Sequence, residues 1–295
     1  MTNLEFNIKN ELKNIEHFHK VENPTSVVSD KRDADIRKDM SMIATDARRF
    51  GISKRDEKAE ISKWTNSDIK NMTDFYKNKG LAAGTIINYV SSLRSFLKET
   101  GRTNIDISNK TLGLVRIIDY SNKSFSAKYP ALNLTDKLSH FKGKDVNVYT
   151  QLKLAKIAGL RREESVHAAL ALAKRYDILK DNKLILKGSW CKNGRPREIK
   201  LSLEKVKEIK ELQNFAVHND YNKSRNLERE KKHLSNSVYR NGFNIHSLRH
   251  EAAQERYAEF VLSGYTEKTS ESAVSQFLGH GPDRQDVTNI YLGKG

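Results

Sequence analysis

Six side chains in the second half of the sequence have the types needed to break a phosphodiester bond. That reaction needs cations that offset charge on the phosphoryl oxygens, a nucleophile, and an acid that protonates the leaving oxygen. The chain offers guanidinium and ammonium cations, imidazoles and a phenol in the order Arg161, Lys192, His246, Arg249, His280 and Tyr291. Each residue alone is weak evidence, because surface arginines and lysines are usually solvated or held in exposed ion pairs.

The local sequence around these residues predicts the elements that position them. Arg161 lies in Gly-Leu-Arg-Arg-Glu-Glu, where one helix ends and the next begins, with Glu164 three residues on and able to hold a guanidinium. His246 and Arg249 are spaced i, i+3 and would share one helical face. Lys192 immediately precedes an Asn-Gly pair, which predicts a tight hairpin turn with this lysine at the tip of a two-stranded finger.

The charge of the chain points to a polyanionic partner. Its 295 residues include 53 Lys and Arg against 37 Asp and Glu, which gives a net charge of +16. Nucleic acid is favoured over lipid, because no stretch approaches the roughly 18 apolar residues of a membrane span. The opening residues lack the basic and apolar regions of a signal peptide, so we expect a cytoplasmic protein without membrane contact.

The cysteine and histidine content argues against metal chemistry. A single cysteine, Cys191, excludes an internal disulfide and a cysteine-based zinc site, and we predict it to be a strand residue. Five other histidines show no spacing typical of metal ligands: His17, His19, His167, His218 and His233. His250 remains open, since it either reaches the site from the helix after Arg249 or packs. We therefore predict no bound metal.

The first half predicts a small basic helical bundle. In a segment closed by Gly101, apolar residues recur at i, i+4, i+7 and i+11, the pattern of an amphipathic helix: Ile86, Val90, Leu93 and Leu97. Residues 69–76 predict a partner helix that ends at Gly80. Arg94 and Lys98 lie on the polar face of the first helix, where cations are either solvated or bind an anion.

The second half predicts helices and a small antiparallel sheet. The apolar period breaks up beyond Gly101, which predicts a linker near residues 105–125. Helical spacing then returns in four segments, at 148–159, 168–173, 252–262 and 272–278. Residues 184–186 and the segment after Asn-Gly predict two paired strands, and the charged stretch 222–232 predicts an exposed loop or helix end.

The ordered set of residues resembles the catalytic pattern of the tyrosine recombinase (phage integrase) family. The segments that match in order are Gly-Leu-Arg-x-x-Glu, Lys-Asn-Gly-Arg-Pro-Arg, His-Ser-Leu-Arg-His and Phe-Leu-Gly-His. The helix at 85–97 is similar to that family's N-terminal core-binding domain. The resemblance implies a mainly α fold with a small antiparallel β-sheet (α+β), in which residues 1–115 form a helical, SAM-like core-binding domain and residues 116–295 form the catalytic domain.

The resemblance also implies a mechanism on duplex DNA enclosed by the two domains. Tyr291 would attack the scissile phosphate, giving a 3′-phosphotyrosyl link and a free 5′-hydroxyl, and a second 5′-hydroxyl would reverse the step. Because the link conserves the bond energy, the family needs neither ATP nor metal nor another cofactor. Arg161 and Arg249 would hold the non-bridging oxygens, for which a planar guanidinium suits better than an ammonium. Lys192 would enter the minor groove and protonate the leaving 5′-oxygen.

Three further roles carry over from the family. His246 would assist the phosphate and the tyrosine, since a phenol with a reference pKa of about 10 needs help to lose its proton. His280 would donate a hydrogen bond to the phosphate, and Glu164 would orient the cations. The residues expected to bind DNA outside the catalytic set are Arg94, Lys98, Arg195 and Arg197.

Two features depart from the family pattern. The spacing from His280 to Tyr291 is 291 − 280 = 11 positions, longer than in the family, with Gly-Pro-Asp as the extra loop. Tyr265 is the next candidate nucleophile, but it precedes His280 and so lies in the wrong order. Residues 292–295 follow the tyrosine, where many relatives carry a further helix that docks on a neighbouring protomer; either assembly uses another surface or the chain has been shortened.

We therefore predict a site-specific recombinase that integrates, excises or inverts DNA for a mobile element. By resemblance it would act as a homo-tetramer on two DNA sites, with accessory DNA-bending proteins, in the bacterial cytoplasm or nucleoid. Two alternatives share the scaffold or the chemistry: a catalytically silent DNA-binding architectural or regulatory protein, and a type IB topoisomerase-like enzyme that relaxes DNA. An RNA-binding helper protein would explain the charge but not the ordered set.

Overall fold

The computed structural model of the chain describes residues 30–50, 64–99, 106–222, 224 and 226–295. The chain divides into two compact units, Met1–Ile117 and Ile118–Gly295. None of the helices in the described ranges is long and apolar enough to span a membrane. The predicted helix end at Gly101 lies outside the described residues.

The described residues of unit 1 form three long helices around one apolar core. They are α1 (Asp30–Asp46), α2 (Asn66–Asn78) and α3 (Ala83–Glu99). The predicted amphipathic helix is confirmed as α3, because its four apolar positions are buried together with residues from α1 and α2: Met40, Ile43, Ile69, Met72, Ile86, Val90, Leu93 and Leu97. The predicted partner helix is confirmed as α2, and the chain turns at Gly80, where φ is +77°.

Unit 2 is mainly helical. Its helices are α4 (Phe125–Lys128), α5 (Leu134–Lys144), α6 (Val146–Ala158), α7 (Arg162–Ala173), α8 (Leu203–His218), α9 (Leu227–Arg240), α10 (His246–Leu262), α11 (Glu267–Phe277) and α12 (Gln285–Leu292). The four predicted helical segments are confirmed as parts of α6, α7, α10 and α11. The stretch 222–232, predicted as an exposed loop or helix end, contains the start of α9 at Leu227, where the Asn226 side chain caps the helix by accepting from the Glu228 N–H at 2.8 Å.

The predicted small antiparallel sheet is confirmed and has three strands. They are β1 (Leu179–Lys180), β2 (Lys183–Leu186) and β3 (Arg197–Lys200), in the order β1-β2-β3. The register pairs Leu184 with Ile199 and Leu186 with Arg197. The alternating burial along β3 turns Arg197 and Ile199 inward.

The prediction of a tight Asn-Gly turn is wrong. Residues 187–196 separate β2 from β3 and form two short 3-10 turns, Gly188–Trp190 and Lys192–Gly194, with Cys191 between them rather than in a strand. The two-residue turn lies instead at Asp181 and Asn182, between β1 and β2. Their φ angles of 47° and 58° are those that a primed hairpin turn requires, and Asp and Asn tolerate them. Lys192 therefore lies in a folded loop, not at the tip of a two-stranded finger.

Helix α6 is the central element of unit 2, and its end leads directly to Arg161. Most of its residues are buried, with Leu154 in the cluster that includes the sheet and Leu152 in the cluster that includes α9 and α10. It ends at Gly159 in the left-handed conformation, with φ +60°. The ring of Phe277 packs against this glycine.

Gly159→Ala should destabilise the protein by roughly 1–3 kcal/mol, from the strained φ and an overpacked contact. A Cβ at this position would lie 2.8 Å from Cε1 of Phe277. The matched control is Gly143→Ala inside α5, where no atom lies within 4 Å of the added Cβ. This control should gain about 0.5–1 kcal/mol, because alanine favours a helix over glycine. Urea unfolding midpoints check both, and equal midpoints for the two variants would contradict the assignment.

Candidate active site

Three of the other predicted catalytic residues, His246, Arg249 and His280, lie around the ring of Tyr291. The ring centroid lies 5.7 Å from that of His246 and 6.0 Å from that of His280. The Tyr291 hydroxyl accepts a hydrogen bond from Arg249 Nε at 3.2 Å. These residues come from α10, from the turn after α11 and from α12, so three separate elements converge on one point.

Arg249 is the most deeply buried of the cations, with an exposure of 0%. Its two Nη groups donate to the carbonyls of Gly159 and Leu278. Both carbonyls lie at the C-terminal ends of helices, α6 and α11, where unpaired carbonyl groups carry partial negative charge. Burial lowers the pKa of Arg249 to about 10, so the side chain remains a cation at neutral pH.

A buried carboxylate, Glu164, holds the arginines in place. Its oxygens accept from the Arg161 backbone N–H at 2.9 Å and from Arg161 Nη1 at 2.7 Å. It also accepts from Arg197 Nη1, and Arg249 Nη1 lies 3.9 Å away. Burial alone would raise the pKa of Glu164, but Arg197, Arg161 and Arg249 together hold it below its usual value. Glu164 is therefore ionised, and it is the counter-charge of three guanidinium groups.

The structure corrects the prediction that Arg197 binds DNA. Its side chain is buried, with Nη1 on Glu164 and Nη2 donating to the Phe277 carbonyl at 2.7 Å. A Cβ on Gly279 would lie 2.5 Å from Arg197 Nε, and Gly279 has φ +72°, so this position in Leu-Gly-His requires glycine. The sequence did not reveal the structural role of Arg197, because Arg-Pro-Arg is typical of an exposed basic segment. The available signal was the alternation that places it on the same face as Ile199.

The histidines of the site are neutral at physiological pH. Burial, followed by the charges of Arg249 and Arg161, lowers the pKa of His246 and that of His280 to about 4. Nε2 of His280 is buried and has no hydrogen-bond partner among the described residues. A third imidazole, His250, packs against the Tyr291 ring with ring centroids 4.5 Å apart and the ring planes tilted by 36°, and burial lowers its pKa to about 4 as well.

The sequence did not decide whether His250 reaches the candidate site, and the structure places it there. It is almost fully buried against Tyr291, and its Nδ1 lies near the Tyr291 carbonyl oxygen. Gln254 Nε2 donates to the same oxygen. The signal was present, since His246 and His250 are spaced i, i+4 in His-Ser-Leu-Arg-His and thus share a helical face. What the sequence lacks is the position of α12, which decides whether that face meets the tyrosine.

Lys192 is exposed and makes no hydrogen bond or ion pair within the described part of the chain. The loop that carries it is nevertheless anchored on α7 from both sides. Before it, Trp190 stacks on His167 with ring centroids 5.7 Å apart and an interplanar angle of 8°. After it, Arg197 pairs with Glu164. The catalytic role of Lys192 and the DNA contact of the exposed Arg195 stay predictions.

The two cations of unit 1 differ in their surroundings. Arg94 Nη1 donates to Asn109 Oδ1 at 2.9 Å and Nη2 donates to the Ile107 carbonyl, and burial lowers its pKa. Lys98 is exposed in the last turn of α3. Arg94 thus ties α3 to the following turn of its own unit, and DNA binding by either residue stays a prediction.

The extra residues between His280 and Tyr291 form the loop that the sequence predicted. The loop is tied down where Ser275 Oγ donates to the Gly281 carbonyl at 2.6 Å, and α12 begins at Gln285. The longer spacing therefore does not prevent Tyr291 from reaching Arg249. Tyr265, the alternative nucleophile, is half exposed and packs on Phe260 instead. No group of three or more potential metal ligands occurs in the ranges that the structure describes.

One family model matches part of the chain. The family model described as Integrase matches residues 117–255, which cover most of unit 2. No curated protein matches the chain.

Solved structures of the Tn1549 transposon integrase share the fold. Its complex with a circular intermediate DNA aligns with a TM-score of 0.52 at 16% identity, over 97% of this chain and 94% of that chain. An arginine-to-lysine variant, also with a circular intermediate DNA, gives 0.54 at 16% identity over the same shares. A tyrosine-to-phenylalanine variant with transposon right end DNA gives 0.51 at 15%, over 99% and 94%.

The family match and the shared fold point in the same direction, although the matched residues end before His280 and Tyr291. Residues 117–255 match the Integrase family model, and the chain is similar in fold to the Tn1549 transposon integrase.

Proposed function

We propose that this chain cuts and rejoins duplex DNA with Tyr291 as the nucleophile, through a 3′-phosphotyrosyl link. The observation that carries the proposal is the hydrogen bond of 3.2 Å from Arg249 Nε to the Tyr291 hydroxyl, inside a cluster of cations and neutral imidazoles. A guanidinium N–H aimed at a phenolic oxygen stabilises the negative charge that develops when the phenol loses its proton.

Arg161 and Arg249 would contact different parts of the reacting phosphate. Arg161 is partly exposed, at 24%, and Glu164 holds it from one side, so its remaining donors can reach a phosphate oxygen. Arg249 is fixed by two helix ends and donates from Nε towards the point where Tyr291 and the phosphate would meet. Bidentate guanidinium groups suit the non-bridging oxygens of a phosphodiester.

Neutral histidines fit the roles of proton partner and hydrogen-bond donor. With its pKa lowered to about 4, His246 is a free imidazole near pH 7 and can accept the phenol proton. His280 offers a buried ring nitrogen, Nε2, with no partner among the described residues, and its Nε2–H tautomer would donate to a phosphate oxygen. Lys192, from its anchored loop, would deliver a proton to the leaving 5′-oxygen. The proton count then balances, since one leaves the tyrosine and one enters the released hydroxyl.

The substrate and the assembly are inferred from charge and from the neighbours. The net charge of +16 suits a DNA partner, and the similar solved structures hold circular intermediate and transposon end DNA. We infer that this chain acts on the ends or joint of a mobile element, in the cytoplasm, as a homo-tetramer on two DNA sites with accessory DNA-bending proteins. Two sites cut and exchanged need four nucleophiles, one per strand.

Glu164 supports the site without touching the substrate. It contacts Arg161, Arg197 and Arg249, and it also caps α7 by accepting from the Arg161 N–H. Removing one partner of a buried ion cluster leaves uncompensated charge, which is strongly destabilising. Glu164 is thus a positioning residue for both phosphate-binding arginines.

Covalent trapping tests the nucleophile. The wild-type chain, incubated with labelled duplex from the DNA flanking its gene in the presence of EDTA, should give an SDS-resistant protein–DNA band. Tyr291→Phe should bind the same duplex but give no band, because phenylalanine has no oxygen to attack phosphorus. A band of equal intensity with Tyr291→Phe would exclude Tyr291, and Tyr265→Phe serves as the control that should keep the band.

Substitution of Arg161 separates catalysis from binding. Arg161→Ala should lower the rate of covalent-complex formation by about 100-fold or more, since it removes a cation that meets developing charge. The dissociation constant for DNA should change only a few-fold, because binding is spread over many phosphates. The control is Arg162→Ala, whose side chain is exposed and contacts Ser235. A rate loss of similar size in both variants would contradict the role of Arg161.

Glu164→Gln should destabilise the fold by about 3–5 kcal/mol at pH 7, because three guanidinium groups lose their counter-charge. The folded-state pKa of Glu164 lies below its usual 4.5. Its contribution is therefore complete above pH 4.5 and shrinks as the pH falls further. Glu163→Gln is the control, since Glu163 is 45% exposed and pairs only at 3.6 Å and 3.9 Å. Urea unfolding at pH 7 and pH 3 measures both, and an equal loss at the two pH values would refute the assignment.

A further inference from the structure

The backbone carbonyl of Tyr291 lies at a helix end and would have no partner within its own helix. Tyr291 is the last residue but one of α12, and the final four carbonyls of a helix lack intrahelical donors. The chain turns at Gly293 with φ +70°, and the Gly293 and Lys294 N–H groups both donate to Asn289 instead. The Tyr291 carbonyl is therefore satisfied from outside α12.

Two side chains of α10 supply the donors. His250 Nδ1 lies 3.4 Å from the Tyr291 carbonyl oxygen, and Gln254 Nε2 donates to the same oxygen at 3.3 Å. Since a carbonyl oxygen only accepts, Nδ1 of His250 carries the hydrogen. His250 is 2% exposed, and its ring also packs at 4.5 Å on the Tyr291 ring. One imidazole thus contacts both the backbone and the side chain of the nucleophile.

We propose that His250 and Gln254 are positioning residues, which set the Tyr291 hydroxyl against the phosphate-binding cations by holding the carbonyl of the same residue. The inference rests on the proposed function of Tyr291. It adds two residues that touch neither the phosphate nor the phenolic oxygen.

The placement of these residues on α10 gives the reason. The same helix carries His246 and Arg249 at its start, and His250 and Gln254 follow within two turns. A helix keeps a nearly constant distance between its own residues. The spacing between Arg249, which would bind phosphate, and His250 and Gln254, which hold the carbonyl, is therefore fixed. Two contacts from the same helix then fix Tyr291. Arg249 Nε contacts its hydroxyl at 3.2 Å, and His250 and Gln254 contact its carbonyl.

The remaining polar contacts that tie α12 to unit 2 lie at its two ends, and Val287 and Leu292 add apolar contact with the core. Glu271 accepts from Gln285 at the start of α12 and, at 2.8 Å, from Lys294 just beyond its end. Neither contact involves the Tyr291 carbonyl, which His250 and Gln254 hold. A rotation of α12 about its axis would swing the Tyr291 hydroxyl away from Arg249, and a misplacement of about 1 Å can lower a catalytic rate by about 100-fold.

Hydrogen exchange of the free protein tests the positioning directly. The test variant is His250→Phe with Gln254→Met, which keeps the ring and the volume but removes both donors. Amides of residues 285–292 should exchange at least tenfold faster than in wild type, while those of α10 and the sheet keep their protection. Unchanged exchange in α12 would overturn the proposal. So would a uniform increase across unit 2, which would mark a general loss of stability.

Covalent-complex formation under single turnover tests the consequence for catalysis. With the flanking duplex at saturation, the double variant should react roughly 10- to 100-fold more slowly at an unchanged dissociation constant. His250→Asn should restore most of the rate, since its amide nitrogen can donate in the place of Nδ1. A rate within twofold of wild type in the double variant, or no restoration by His250→Asn, would contradict the role.

The matched control is His218→Phe. His218 Nδ1 also lies 2.7 Å from a carbonyl at a helix end, that of Asn214 in α8, but it is exposed and away from the site. Both exchange in α12 and the cleavage rate should stay at wild-type values. If wild type itself forms no covalent complex, the proposed function fails, whereas the exchange result still decides whether these side chains hold α12.

Discussion

The active site depends on a single buried carboxylate. Glu164 is the only acidic side chain in contact with Arg161, Arg197 and Arg249 among the described residues, and each of these arginines reaches a different part of unit 2. Through Arg197 it fixes the end of α11, and through Arg249 it is linked to the ends of α6 and α11. Without this negative charge the guanidinium groups would repel one another in a space with little water to screen them.

The glycines and helix ends of the site follow from the same constraint. Buried guanidinium groups need acceptors, and the best available are the unpaired carbonyls at helix C-termini. Gly159 and Leu278 supply two of these carbonyls. Gly279 allows Arg197 to approach the chain closely, since a side chain there would overlap the guanidinium. The family motifs Gly-Leu-Arg and Leu-Gly-His thus include residues whose task is to hold arginines rather than to react.

The sequence predicted the parts of the fold that local patterns determine. The apolar period of Ile86, Val90 and Leu93 indicated α3, and the ordered motifs indicated three residues that lie around Tyr291. It failed where the outcome depends on distant partners. Asn-Gly is a strong local hairpin signal, but residues 187–196 fold into 3-10 turns packed against α7, and Asp181–Asn182 makes the tight turn instead.

The misassignment of Arg197 has the same origin. A basic run predicts exposure, because burying an arginine is unfavourable without a partner. The partner, Glu164, is 33 residues away in the chain, and no local pattern connects the two. His250 was left open for the converse reason: its helical face was predictable, but the element packed on that face follows 35 residues later, beyond a loop of unusual length.

The charge of the resting site matches the reaction assigned to it. Three guanidinium groups face one carboxylate, and the imidazoles of His246 and His280 add no charge at neutral pH because burial keeps their pKa near 4. Helix-end carbonyls offset only part of the remaining positive charge. In the proposed reaction a phosphodiester would bring one negative charge, and attack by an ionised Tyr291 would add a second at the transition state. The positive charge of the site would thus exceed the negative charge of the bound phosphate and would be balanced more fully at the transition state. Interactions that are stronger in the transition state than in the ground state are the ones that accelerate a reaction.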